Sequence, residues 1–277
     1  MAEDSTDPSN SGGFHFAQLA NGWRVGRFAA LEAIAGVTHA VTTKGALDVA
    51  VIRNDHAAAA ARIAEALALE QTVFVEQVHG NLVLPVAAPS EDDQRAAGRY
   101  MGQADGLVTD RPGIGVLTRG ADCPLILIAD PVTRSVGSAH ASWRGTVQHM
   151  ASHLVKAMSE IAKSQAIGIA ESQAIEGRLV ACICPSAGPC CYEVGPEVVR
   201  TAVEKIGPHA EAFFVRRGGQ VFFDLWAANR DQLLRAGLVA HNIHVAGVCT
   251  MCRTDLFPSH RREGSAAGRY AAVIARQ

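Results

Sequence analysis

Leu125-Ile126-Leu127-Ile128-Ala129 is an unbroken apolar run. A strand with one wet face alternates apolar and polar side chains, so five apolar residues in a row predict a strand covered on both faces. Short apolar runs flank it at 106–109, 115–118 and 135–139, separated by Pro, Gly and Asp. Farther out, strands are expected over 37–43, over 72–78 ending at His79-Gly80, and over 179–183, 221–223, 243–248 and 271–275. Residues 82–86 read as extended until Pro85 and Pro89 interrupt, and the polar, Gly-containing stretch 91–102 reads as a surface loop. Ala and Leu fill 56–69, which predicts a helix capped by Asn54 or Asp55. Val147, Met150, Leu154, Met158 and Ile161 recur near helical spacing, so a long amphipathic helix is expected over 146–164. Helices are also expected over 196–206, which starts with Pro at an allowed position, and over 225–236, before Gly237.

Strands and helices alternate without a clean period, and neither an internal repeat nor a Pro- or Ser-rich linker interrupts them. A single α/β domain (α+β in some schemes) with mixed β-sheets and flanking helices fits this pattern. Apolar residues make up 48% of the 277 and charged residues 19%, which favours a large core over disorder. The formal charge is −2 and no Lys/Arg-rich run stands out, so nucleic acid is excluded as an expected partner. No apolar run approaches the roughly 18–20 residues that span a bilayer, so no membrane partner is expected either. Residues 1–13 are acidic, polar and small, without the basic start and apolar stretch of a signal peptide. They predict a disordered tail ahead of a catalytic domain over 14–277, in a soluble cytoplasmic protein. The seven cysteines are an odd number, which in a reduced compartment points to burial, metal or catalysis rather than to disulfides.

Three fragments carry the chemistry: Gln77-Val78-His79-Gly80, Ala121-Asp122-Cys123-Pro124 and His140-Ala141-Ser142-Trp143-Arg144-Gly145. In each, a metal-capable side chain sits at the end of an element, beside Gly, Pro or a turn. Residues at strand ends can converge although they are far apart in sequence. His79, Cys123 and His140 make a good zinc set, because zinc accepts nitrogen and sulfur ligands. Three protein ligands leave a fourth position open, as in a catalytic site. Two other readings stand beside this one. Each His is also acceptable as a core or cap residue, and Cys123 with His79 or His140 as base is a Cys–His nucleophile, oriented by Asp122 or Asp105.

The other cysteines, Cys182, Cys184, Cys190, Cys191, Cys249 and Cys252, read either as buried thiols or as a competing metal set, although the paired CxxC spacing of a zinc ribbon is absent. Alternation puts Cys182 and Cys184 on one face of their strand and Ile183 on the other. The Gly- and Pro-rich stretch 184–196 reads as a rigid connection or an anion-binding turn. Arg144 reads as an anion partner or a surface charge. The basic cluster His260-Arg261-Arg262, followed by Arg269, reads as a closure over an anionic ligand or a solvated face. Lys44, Arg144 and Asn81, the residue after Gly80, are the candidate substrate-binding residues.

These fragments, with Val75-Glu76 before the first, Ala104-Asp105-Gly106-Leu107-Val108-Thr109, Gly188-Pro189-Cys190-Cys191-Tyr192-Glu193-Val194-Gly195, Asp224-Leu225-Trp226-Ala227-Ala228-Asn229-Arg230 and the 261–269 segment, resemble the YfiH-type laccase-domain proteins. That family is also described as multicopper polyphenol oxidoreductase-like, DUF152 or peptidoglycan editing factor proteins. The resemblance implies a CNF1/YfiH-like single domain and a zinc ion, rather than copper, held by His79, Cys123 and His140. It implies purine nucleoside chemistry with phosphate as co-substrate: phosphorolysis of adenosine, inosine and methylthioadenosine, and deamination of adenosine. For the deamination, Asp122 is the candidate catalytic acid or base beside the metal. Amide hydrolysis of a muramyl-peptide precursor, copper-type polyphenol oxidation and a non-catalytic metal-binding module are the alternatives. The oxidase label asks for several coppers and many His ligands. The chain departs from the family pattern at Thr43-Lys44-Gly45-Ala46-Leu47-Asp48, where Arg-x-Gly-Gly-Val-Ser is usual. It also departs at Ser142 (usually Gly) and His260 (usually Tyr). Lysine lacks the bidentate fork of arginine. Oligomeric state is left open by the sequence.

Overall fold

The computed structural model describes residues 13–86, 96–165 and 175–277. The tail expected over 1–13 lies outside these residues except for Gly13, as does the 91–95 part of the expected loop. The described chain begins with a hairpin of β1 (Phe14–Gln18) and β2 (Arg24–Phe28), then α1 (Ala29–Glu32) and β3 (Val37–Thr42). Two helices follow, α2 (Val49–Asn54) and α3 (His56–Ala66), each capped by an aspartate. Asp48 accepts from the Ala50 N–H, and Asp55 accepts from the Ala58 N–H. Next come β4 (Gln71–Glu76), β5 (Val83–Pro85), β6 (Gly98–Gln103), β7 (Gly106–Thr109), β8 (Ile114–Gly120), β9 (Leu125–Ala129) and β10 (Val136–His140). Helices α4 (Trp143–Val147), α5 (Met150–Gln165) and α6 (Ile175–Arg178) lead to β11 (Val180–Ile183) and α7 (Pro196–Ile206). The chain closes with β12 (Phe214–Arg217), β13 (Gln220–Phe223), α8 (Leu225–Arg235), β14 (Ile243–Val245), α9 (His260–Glu263) and β15 (Tyr270–Arg276).

Two mixed sheets result. One has seven strands in the order β1-β2-β3-β15-β8-β4-β6, the other six in the order β14-β11-β9-β10-β7-β5, and β12-β13 is a separate hairpin. The 125–129 run shows how they stack. Leu125, Leu127 and Ala129 join the core between the sheets, with Val116, Ala272 and Ile274 of the larger sheet. Ile126 and Ile128 face the other way, onto Met150, Leu154 and Met158 of α5. The outer face of the larger sheet, with Leu117 and Val273, is covered by Ile52 of α2 and by Ala60 and Ile63 of α3. The layers are therefore helix, sheet, sheet, helix, and β9 is covered on both faces. Each fully buried Leu or Ile in such a strand contributes about 2 kcal/mol. Cys182 and Cys184 share the inter-sheet face while Ile183 packs toward α5, and burial pushes both thiols up. Among the described residues, no helix is long and apolar enough to cross a membrane.

Two expectations are corrected. The helix expected over 146–164 is two, α4 and α5, because His149 adopts φ 62° and interrupts the ladder. Ser142 caps α4, accepting from the Gly145 N–H at 3.1 Å. Residues 98–102, expected in a loop, belong to β6, which pairs parallel with β4 at the edge of its sheet. An edge strand needs no continuous apolar pattern, which hides it. Strands β1, β2 and β12 and helix α2 have no counterpart in the sequence reading, since each is short and weakly patterned.

His39 on β3 ties this frame to pH. Its ring is fully buried, and its Nε2 accepts from the Phe28 N–H at 2.8 Å. Burial, then the nearby Arg27 charge, pushes its pKa down to about 3. Between pH 6.5 and 3 the unfolded chain binds a proton that the folded chain refuses. Stability is therefore full above about pH 7 and falls as the solution is acidified. A loss of roughly 2 kcal/mol from pH 7 to pH 5 is expected from this group. Urea unfolding at both pH values, with His39→Gln as reference, measures it; equal losses in the two proteins would remove His39 as the cause.

Candidate metal centre

His79 lies in the turn after β4, Cys123 in the turn between β8 and β9, and His140 at the end of β10. Their ligand atoms lie within 4.8 Å of one another. The two imidazoles meet edge to face, with centroids 5.0 Å apart. His140 is buried, Cys123 partly so, and His79 is exposed, so the group opens outward on one side.

One carboxylate organises these elements. Asp105, between β6 and β7, is fully buried. Its Oδ1 accepts from the His79 N–H at 3.0 Å and from His140 Nδ1 at 2.8 Å. Its Oδ2 accepts from the N–H groups of Gly80 at 2.6 Å and Val78 at 3.2 Å. The four contacts hold the His79 turn, with His79 at φ 62°, and orient the His140 ring so that Nε2 is left free to ligate. Burial pushes Asp105 up, but the His140 ring and the Gly80 and His79 N–H groups outweigh it and hold the carboxyl below its usual range. Packing leaves little slack here: a Cβ on Gly145 would lie 2.7 Å from the Gly80 carbonyl oxygen.

Burial likewise raises the Cys123 thiol, but the His140 charge and hydrogen bonds from His140 and His79 bring it down to about 6. Burial lowers His140, but the Cys123 charge and Asp105 outweigh it and lift it to about 9. The thiolate is the form that binds metal.

Asp122, the residue before Cys123, has φ 87° and is turned away from this cluster. Its Oδ1 accepts from Thr250 Oγ1 at 2.7 Å, its Oδ2 from the Arg261 N–H at 2.7 Å, and its carbonyl oxygen from the Ala187 N–H. Both carboxylate oxygens are thereby engaged in fixing the turn that carries Cys123.

A cleft of about 400 Å³ opens over these three side chains, within the usual range of small-molecule sites. Beside His79, Cys123 and His140 its walls carry Arg53, Arg119, Arg269, His56, His260 and Gln77. No carboxylate is among the described residues lining it. Arg119 is buried, donates to the Val75 carbonyl oxygen and keeps Nε unpaired. Burial and then the Arg269 charge pull Arg119 down to about 10. Burial and the Arg53 charge pull Arg269 down as well. Three guanidiniums thus crowd one wall.

Of the residues singled out from sequence, His79, Cys123 and His140 come together, and His260 and Arg269 join them in the cleft. Lys44 does not line it; its Nζ bonds Glu263 at 2.6 Å and the Thr254 carbonyl oxygen at 2.7 Å. Arg144 stacks on Trp143, and Asn81 donates to the Gln148 carbonyl oxygen. Both line a separate depression with His153 and Lys205. Arg53, His56 and Arg119 were not picked out from sequence. A lone Arg at the end of the apolar strand 114–120 was the one available signal.

Residues 36–277 match the family model described as multi-copper polyphenol oxidoreductase laccase. The chain belongs to this enzyme family. It is 36% identical to the purine nucleoside phosphorylase YlmD of Geobacillus stearothermophilus, over 95% of this chain and 97% of that protein. It is 34% identical over 207 residues to the adenosine deaminase RL5 of an unknown prokaryotic organism, covering 73% of each chain. The crystal structure of YlmD from Geobacillus stearothermophilus superposes with a TM-score of 0.75 at 32% identity, covering 95% of this chain and 98% of that one. The family's α/β fold with mixed sheets is therefore the fold of this chain.

Proposed function

We propose that this chain is a zinc-dependent purine nucleoside enzyme that cleaves adenosine, inosine and methylthioadenosine with phosphate and also deaminates adenosine. The carrying observation is the wall of Arg53, Arg119 and Arg269 beside the His79–Cys123–His140 group. A cleft of this charge favours a dianion such as phosphate. The names of the relatives favour a purine nucleoside as the other substrate. Two imidazoles and a thiolate are a donor set that suits zinc, and copper oxidation would need further ligands. Held by these three residues, zinc would supply Lewis-acid activation of water near neutral pH.

The remaining roles fall to the chain's own groups. The arginines hold phosphate oxygens so that one faces the ribose C1′. As the new C1′–O bond forms, the C1′–N9 bond breaks and its electron pair leaves with the purine, which takes up the proton that hydrogen phosphate gives up. His56 is pushed down by burial and by the Arg119 charge, which favours its neutral ring in the wall. Gln77 is fixed by the Arg119 backbone on both sides, donating to its oxygen at 2.7 Å and accepting from its N–H at 2.8 Å.

The test is turnover of adenosine by the purified protein with and without phosphate. Phosphate-dependent adenine and ribose 1-phosphate support phosphorolysis, and phosphate-independent inosine supports deamination. No product beyond a His79→Ala control would defeat both. A second reading rests on the order Cys123–His140–Asp105, which is also a nucleophile, a base and an orienting carboxylate. Chelator-treated protein separates the two: nucleoside turnover lost and restored by zinc supports the first, whereas cleavage of a muramyl-peptide amide by the metal-free protein supports the second.

A further inference from the structure

Four cysteines meet at a second place, and none of them lines the cleft. Cys190 and Cys191 lie in the turn that opens at Gly188, while Cys249 and Cys252 lie in the turn after β14. The four sulfurs lie within 4.8 Å of one another. Cys252 Sγ is 3.4 Å from Cys191 Sγ and 3.7 Å from Cys190 Sγ. A tetrahedral ion with Zn–S bonds of about 2.3 Å places its sulfurs roughly 3.8 Å apart.

We propose that Cys190, Cys191, Cys249 and Cys252 hold a second, structural thiophilic metal ion of the zinc class. The backbone is already bent for it. The N–H groups of Cys252 and Arg253 both donate to the Cys249 carbonyl oxygen, closing the CxxC turn, and the Cys191 N–H donates to the Gly188 carbonyl oxygen. Donors also face the sulfurs: the Gly188 N–H reaches Cys249 Sγ at 3.3 Å, and Arg262 Nη2 lies 4.0 Å from Cys191 Sγ. Such donors stabilise thiolate charge. A disulfide would use two of the four sulfurs and leave two crowded thiols beside it; a single ion uses all four. The ligand set is closed, in contrast to the open three-ligand group in the cleft, so its role is structural.

The ion would join the 185–195 loop to the 248–253 turn. Thr250 sits between two of its ligands and donates to Asp122, and the Ala187 N–H of the joined loop donates to the Asp122 carbonyl oxygen. The second ion therefore steadies the turn that carries Cys123 without touching the substrate.

The experiment measures zinc released by a thiol-blocking mercurial from protein purified under reducing conditions. Two equivalents per chain are expected from the wild type and one from Cys190→Ser/Cys252→Ser. One is also expected from His79→Ala/Cys123→Ala, which empties the cleft instead and keeps the two sites distinguishable. Should the cysteine variant fail to fold, alkylation of the wild type decides. Cys190 and Cys252, the exposed pair, are protected until a strong chelator is added if the proposal holds. Immediate labelling of both, a single zinc that the cysteine variant retains, or a Cys191–Cys252 disulfide in the purified protein would overturn it.

Discussion

Asp105→Asn is expected to weaken metal binding about 10- to 100-fold and to lower kcat/KM with it. Both carboxylate oxygens accept two hydrogen bonds each, from three consecutive backbone N–H groups and from His140. An amide of the same shape must point its NH2 at one of those donor pairs, leaving buried donors unpaired at about 1–3 kcal/mol each. The His79 turn and the His140 ring then lose their common anchor. Competition against a chelator of known affinity, with turnover measured at saturating zinc, reads the effect. A variant that holds its metal as tightly as the wild type would show that the ligands are positioned by packing alone.

The second large effect is selective. Arg269→Gln is expected to raise the KM for phosphate by about tenfold or more, corresponding to roughly 1.4 kcal/mol. Adenosine deamination should change only a few-fold. The cause is the crowding of Arg269 against Arg119 and Arg53: after burial, the Arg269 charge pulls Arg119 down and the Arg53 charge pulls Arg269 down. A dianion among them relieves that repulsion; water, the co-substrate of deamination, has no such charge to contribute. Steady-state kinetics at varied phosphate, alongside inosine formation without phosphate, separates the two activities. Equal losses in both would mean that Arg269 shapes the cleft rather than binding phosphate.

Much of the frame was legible because it rests on local patterns. Five apolar residues at 125–129 announced a strand covered on both faces, and alternation correctly put Cys182 and Cys184 on the side opposite Ile183. The break at His149 was hidden because apolar spacing runs on across it, while one left-handed residue divides the helix. Strand β6 was hidden because an edge strand tolerates Arg, Tyr and Gly.

The site divides in the same way. His79, Cys123 and His140 stood out because each sits in an unusual local context. The arginine wall did not, since Arg53 belongs to α2, Arg119 to β8 and Arg269 to the approach to β15, and their meeting is a product of sheet order. Lys44, Arg144 and Asn81 are neighbours of the motifs in sequence, yet their side chains are engaged elsewhere. The Cys190–Cys191 and Cys249–Cys252 pairs are each unremarkable, and only the fold brings them together across some sixty positions.

His79 follows a strand of the seven-stranded sheet, His140 ends a strand of the six-stranded sheet, and Cys123 lies on the crossing from one to the other. An ion shared by the three would be a rivet driven through both plates of the sandwich. Metal affinity would then gauge how the plates are aligned, since a slide too small to unfold the molecule would pull the rivet's three seats out of line.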